Sequence, residues 1–350
     1  MGIGVRVAPG SMTRLSDMSD ARRSDYDVTN TVQVSSPKAV REAIEQLFHE
    51  AWPGASFNIV AQAIDDLDSL FAGRMPGYYG VDTVYHDRQH TLDMTLAMAR
   101  LMAGYERLHA GDDALGSERA TVGLITSLFH DSGYIRETGD HDHRNGAEFT
   151  LYHVTRSARF LARYMPTVGL ESWVPIATRI VHFTGYEVQF DQIHLADPRD
   201  RRMGHLLGTA DLIAQMSDRC YLEKCRDRLY PEFVLGGVAM PHAPDGRTLV
   251  KYSSGLDLLR QTPVFFEDVR AKRLEGEFDY AYRYCEPLFG GENPYMRAIE
   301  RNFEYLKVVL RTENWPLLRR NPPCFTWEDN PMQNIRALML GHLKNVWSRP

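Results

Sequence analysis

The sequence predicts an all-α protein, and three observations carry that expectation. Apolar residues recur at helical spacing through most of the 350 residues, helix-start signals precede those runs, and nowhere do apolar and polar residues alternate with period two over more than a few positions. A hydrophobic content of 43% is enough to bury a sizeable core.

Taken in order, residues 1–35 are rich in Ser, Asp, Arg and Thr without a sustained apolar period, and read as a disordered tail. "SSPKAVREAIEQLFHEAW" then opens with a Ser cap and Pro37 at the first helical position, placing Val40, Ile44, Leu47 and Phe48 on one face. "FNIVAQAIDDLDSLF" repeats the period with Ile59, Ala63, Leu67 and Leu70. The segment from His86 to about Leu108, with Met94, Leu96, Met98, Leu101 and Met102, suits a long and largely buried helix. "SERATVGLITSLFHD" reads as a helix with a capping box at Ser117, running to Asp131 and Gly133. Further helices are expected at about 145–164, 171–184 and 202–229. After Pro231 the Gly- and Pro-rich "PEFVLGGVAMPHAPDGRTLVKYSSG" reads as a long loop or flap. "NPYMRAIERNFEYLKVVL", with Ile299, Phe303, Leu306 and Leu310, and "NPMQNIRALMLGHLKNVW", with Ile335, Leu338, Met339 and Val346, each begin with an Asn-Pro start. Residues 36–230 thus form a helical core, and 231–350 complete the same domain or serve an oligomer interface such as that of a homodimer.

Composition excludes some functions. A formal net charge of −6 and a sequence pI near 6.1 supply no global basic field, so a nucleic-acid polymer is not expected as partner. Apolar runs fall short of the ~20 residues of a membrane span. Four cysteines, Cys220, Cys225, Cys285 and Cys324, form no CxxC pair, which fits free thiols in the cytoplasm. There is no Gly-rich phosphate loop.

The chemistry concentrates in "VYHDRQHTLDM". On a helix His86 and His90 would share one face, with Asp93 a turn further. His130 and Asp131 arrive as an adjacent pair, and Asp211 interrupts the apolar face of "LLGTADLIAQMSDRCYLEK", where a carboxylate needs a partner. Imidazole nitrogens with carboxylate oxygens are donors for Zn²⁺, Mn²⁺ or Fe²⁺, and a mixed set from separate helices leaves coordination positions open for chemistry.

The order His90, His130-Asp131, Asp211 resembles the metal signature of the HD-domain phosphohydrolases, and "YHDRQHTLDM" is similar to the "YHNxxHAxDV" motif of class I cyclic nucleotide phosphodiesterases, matching at Tyr85, His86, His90 and Asp93. The likeness covers roughly residues 80–230. It implies two divalent metal ions, drawn from Zn, Mn, Mg or Fe. The tighter would be held by His90, His130, Asp131 and Asp211, with Asp131 bridging to the second. It implies His86 as general acid, Asp93 or another buried carboxylate orienting a histidine, and a small phosphorylated substrate such as a 3′,5′-cyclic nucleotide. The alternatives are a nucleotide monoester or alarmone hydrolase, or a non-catalytic nucleotide-binding regulatory protein. Two positions depart from the family pattern. Asp87 stands where the family has Asn, and Tyr134 stands where it has a histidine that organises the second metal, a role left to His141, His143, His182 or water. Arg136, Arg144 and Lys224 are candidates for phosphate. "RQTPVFFEDV" echoes the family's purine-clamping residues in Gln261 with Phe265 or Phe266.

Overall fold

The computed structural model describes residues 22–241 and 248–347, with side chains as far as Lys344. Regular structure among them is helical, with isolated bridges at Tyr26–Gln33 and Tyr78–Glu137. The longer helices are α1 (Pro37–Ala51), α2 (Asn58–Phe71), α3 (Arg88–Leu108), α4 (Gly116–Leu128), α5 (His153–Tyr164), α6 (Val174–Ile180) and α7 (Pro198–Ser217). Then come short α8 (Tyr221–Lys224), α9 (Tyr230–Leu235), α10 (Gly255–Val269), α11 (Pro294–Thr312) and α12 (Pro331–Trp347).

Two helices form the axis. α3 is buried from Gln89 to Tyr105 and α7 is buried over most of Asp200–Ser217, apolar on nearly every side because other helices surround them. They pack on each other, with α1 and α4 against α3 and with α6 and α11 against α7. Gly104 permits one close approach: a Cβ there would lie 1.6 Å from the carbonyl oxygen of Tyr284. The cap read at Ser36 is present, its hydroxyl accepting from Ala39 N–H, and Asn293 caps α11 in the same way. Ile335 of α12 is buried and Leu338 and Met339 are half-buried; the side chain of Val346 lies outside the described residues.

Several expectations are corrected. Residues 22–35 are not a tail: Val28 and Val34 are buried, and the Asp27 carboxylate pairs at 2.7 Å with Arg100 of α3. That ion pair and the buried valines tie the segment to the central helix; residues 1–21 lie outside the described residues. α4 has no side-chain capping box at Ser117, because the Glu106 carboxylate accepts from Leu115 and Gly116 N–H instead. The helix expected at 202–229 ends at Ser217, since the Asp218 carboxylate takes Cys220 N–H and Lys224 Nζ and starts a new turn. The region read as loop from Pro231 begins as α9, with Pro231 in its first turn. Residues 242–247 of that stretch lie outside the described residues.

Candidate metal and catalytic site

His90 sits in the first turn of α3, and its position is fixed by Asp87, whose carboxylate caps the helix by accepting His90 N–H at 3.2 Å. Aspartate and asparagine both serve as caps, which accounts physically for Asp87 at this position. His86 therefore precedes the helix instead of lying on it, yet the His86 and His90 rings still face one another with centroids 5.9 Å apart. The HD pair lies in the turn after α4, and Asp211 lies on α7.

These elements bring four side chains together. His90 Nε2 is 3.3 Å from Asp211 Oδ1 and 3.5 Å from Asp131 Oδ2, while His130 Nε2 is 3.2 Å from Asp131 Oδ2 and 3.8 Å from Asp211 Oδ1. Donor atoms of His90, His130 and Asp131 all lie within 4.8 Å of one another. His130 Nδ1 is 2.8 Å from the carbonyl oxygen of Ser127, so Nδ1–H donates there and the Nε2 lone pair faces the carboxylates. Neither His130 Nε2 nor Asp131 Oδ2 has a hydrogen-bond partner, although both are buried. Two buried lone pairs facing each other repel unless a positive charge lies between them, and this donor set fits a divalent cation. A proton would satisfy the same geometry. Burial opposes charging His130, but Asp131 and Asp211 outweigh it and raise its pKa to about 9, while His130 and neighbouring histidines hold Asp131 below its ordinary value against burial.

The other oxygen of Asp131 looks toward a residue the sequence reading missed. His153 Nε2 is 3.8 Å from Asp131 Oδ1, and its ring stacks on Tyr134, which stacks in turn on His86 (centroids 4.3 and 4.4 Å). Tyr134 thus fills the gap between two histidines. Gly133 permits this placement, since a Cβ there would come within 1.8 Å of the His153 carbonyl oxygen. Gly133 N–H also donates to Ser157, and Arg156 donates to the Gly133 and Ile135 carbonyls, clamping α5 to the HD turn. Burial lowers the His153 pKa. His141, His143 and His182, the expected candidates for that second position, do not line the cavity beside Asp131: His141 is exposed, His143 pairs with Asp140 at 2.9 Å, and burial lowers the His182 pKa.

The second missed residue is Glu232 on α9, which is fully buried. Its Oε1 accepts Val84 and Tyr85 N–H, each at 2.6 Å, and its Oε2 meets His86 Nδ1 at 2.6 Å. Burial disfavours the His86 imidazolium, but Glu232 more than offsets it and the pKa is raised. Glu232, not Asp93, therefore orients a histidine. Asp93 faces a void of about 10 Å³ behind His90, its Oδ1 unpartnered and its pKa raised to about 7 by burial and by Asp218 and Asp27. The signal that could have found both missed residues is the one that singled out Asp211: a polar side chain amid apolar neighbours, as in "YPEFVL" and "LYHV".

The cluster opens into a cavity of about 620 Å³ whose lining includes His86, Asp131, His153 and Asp211, and also Tyr85, Gln261 and Phe265. Phe266 turns away into the core and stacks on Phe303. Arg136 and Lys224 are engaged elsewhere, with Asp82 at 2.9 Å and Asp218 at 2.5 Å, and Arg144 is exposed. The four cysteines are free thiols, Cys225 lining the cavity. No helix among the described residues is long and apolar enough to cross a membrane. The chain matches no protein-family model, no curated protein and no solved structure.

Proposed function

We propose that the protein is a metal-dependent phosphodiester hydrolase, and the observation that supports this best is the convergence of unpartnered His130 Nε2 and Asp131 Oδ2 with His90 and Asp211 at the base of a cavity that also holds His86. His90, His130, Asp131 and Asp211 would hold the ion, with His153 beside the second oxygen of Asp131. A divalent ion in such a set supplies Lewis-acid activation of water and of the phosphoryl oxygens near neutral pH. The chain's own contribution centres on His86. Glu232 accepts Nδ1–H, fixing the tautomer and favouring the charged ring, so Nε2 is the atom left to hold and deliver a proton to a departing oxygen. Tyr134 packs flat on the His86 ring and limits its rotation. A 3′,5′-cyclic nucleotide, with an alkoxide leaving group that needs that proton, is the substrate in keeping with this arrangement.

The test is elemental analysis of protein purified without chelator, followed by turnover assays on cyclic nucleotides, aryl phosphodiesters, nucleotide monoesters and alarmones. Bound metal with hydrolysis of diesters supports the proposal. Preference for monoesters or alarmones would move the activity to another phosphohydrolase class, and nucleotide binding without turnover would make the protein a regulatory binder.

A further inference from the structure

The wall of the cavity, as distinct from its base, carries information about the rest of the substrate. Beyond the metal-ligating cluster it is built from Leu229, Phe233, Val238, Tyr252, Leu258 and Phe265. Several of its polar groups are committed to the protein. The hydroxyls of Thr150, Thr184 and Thr262 each donate to a carbonyl three or four residues back. The Gln261 amide donates to the Lys251 carbonyl at 3.0 Å, and Gln215 is held between Tyr85 Oη, which donates to its Oε1, and Asp211. These bonds set the orientation of both carboxamides, and turning either one to lie along a nucleobase edge would work against them.

Charge points the same way. Among the described lining residues Lys251 is the sole lysine and there is no arginine, against the carboxylates of Asp131, Glu187 and Asp211. Glu187 caps α5 by accepting Val154 and Thr155 N–H. Arg273 lies beneath Tyr186, 3.6 Å from its ring centre, but its guanidinium donates to the Phe183 and Gly185 carbonyls. A substrate bearing several phosphates would find few cations here beyond the metal ligands' own ion.

Resting on the reading of the site as a phosphodiesterase, we infer that the cavity selects singly charged phosphodiesters carrying one aromatic or apolar group, which it holds by packing and not by reading hydrogen bonds along a base edge. Adenine and guanine are then poorly distinguished, non-nucleotide aryl groups are accepted, and polyphosphates are disfavoured.

The test compares two diesters with the same leaving group, bis(4-nitrophenyl) phosphate and methyl 4-nitrophenyl phosphate, on metal-loaded protein. After division by their hydroxide-catalysed rates, the aryl arm is expected to raise kcat/KM by roughly 30–100-fold, the worth of burying one ring. Phe233→Asn should cut that ratio about tenfold, and Leu229→Asn provides a second wall variant should the first fail to fold. Cyclic AMP and cyclic GMP should differ by less than about tenfold, with Gln261→Ala changing their ratio by less than about threefold. A normalised ratio near one, a purine preference above about 100-fold that Gln261→Ala abolishes, or inhibition by ATP at micromolar concentration would each overturn the inference. If metal binds and neither diester turns over, the phosphodiesterase reading fails alone. Calorimetric binding of O-phenyl phenylphosphonate against O-methyl methylphosphonate then decides the wall: tighter binding of the aryl compound supports it, and equal binding overturns it.

Discussion

His130 and His205 are both buried histidines with ring nitrogens that meet no hydrogen-bond partner, yet only one of them belongs to the candidate site. His130 faces Asp131 and Asp211, has its tautomer fixed by the Ser127 carbonyl, and is raised to about 9 against burial. His205 is packed between Phe183 and Phe278, and burial lowers it to about 4. An unsatisfied buried nitrogen is thus no mark of function by itself. What distinguishes His130 is that a second imidazole and two carboxylates converge on the same point, so that one cation would satisfy all of them.

The largest effect is expected at the convergence point. His130→Ala and Asp131→Ala should each lose bound metal and activity together, the latter by on the order of 10⁴-fold or more, because the donors act as one unit. Stoichiometric metal in Asp131→Ala, read by elemental analysis, would remove it from the ligand set. His205→Ala should keep the metal.

His86 should behave differently from both. Because His86 is held by Glu232, His86→Ala is expected to retain metal and to lose on the order of 10²–10⁴-fold on alkyl or ribose diesters, with far less lost on nitrophenyl diesters, whose leaving group departs without a proton. Glu232→Gln should show the same selectivity at about 10–100-fold. Equal losses on both ester types would end the general-acid assignment, and loss of metal would place His86 among the ligands.

A smaller effect is expected at the other oxygen of Asp131. His153→Ala should reduce turnover roughly 10-fold to 100-fold, as expected of a group acting beside a ligand. Gly133→Ala should reproduce that loss, since the added Cβ forces the α5 start away from the HD turn. Wild-type turnover in Gly133→Ala, with folding verified by circular dichroism, would show that the tight approach is not needed.

These contrasts also explain what the sequence could and could not reveal. The axis helices were legible because they are long and apolar, His90 and Asp211 because each stands in such a segment, and His130 and Asp131 because they form an adjacent pair where the apolar run of α4 stops. Pairing of His90 with Asp211 across the core follows from two such segments. Glu232 escaped because its segment begins with Pro and is soon followed by Gly236 and Gly237, so loop signals outweighed a six-residue helix. His153 escaped because "LYHV" marks a polar side chain among apolar ones but not where it points, which is set by Gly133 and the Arg156 clamp. Residues 22–35 misled for a related reason: their order depends on the Asp27–Arg100 pair, 73 residues apart in sequence.

The effect that leaves turnover untouched falls on stability, at His205. Its surroundings are Phe183 and Phe278, with Arg201 and Arg202 disfavouring a charged ring, Asp279 favouring it weakly, and Glu277, 3.8 Å from Nε2, already paired with Arg201. The folded pKa of about 4 lies below the ordinary value of 6.5, so between those values the unfolded chain binds more protons than the folded one. Stability is therefore full above pH 6.5, falls as the pH drops toward 4, and changes no further from this group below that. The whole window is worth on the order of 3 kcal/mol, by the free energy of a shift of that size. His205→Leu keeps an apolar side chain of similar bulk in the pocket and removes the titration. Urea unfolding of both proteins at several pH values from 8 to 4 should give a stability difference that is constant above 6.5 and swings in favour of the variant below it. A difference independent of pH would mean that His205 takes up its proton in the folded protein as readily as in the unfolded chain, and the contrast with His130 would then rest on the carboxylates alone.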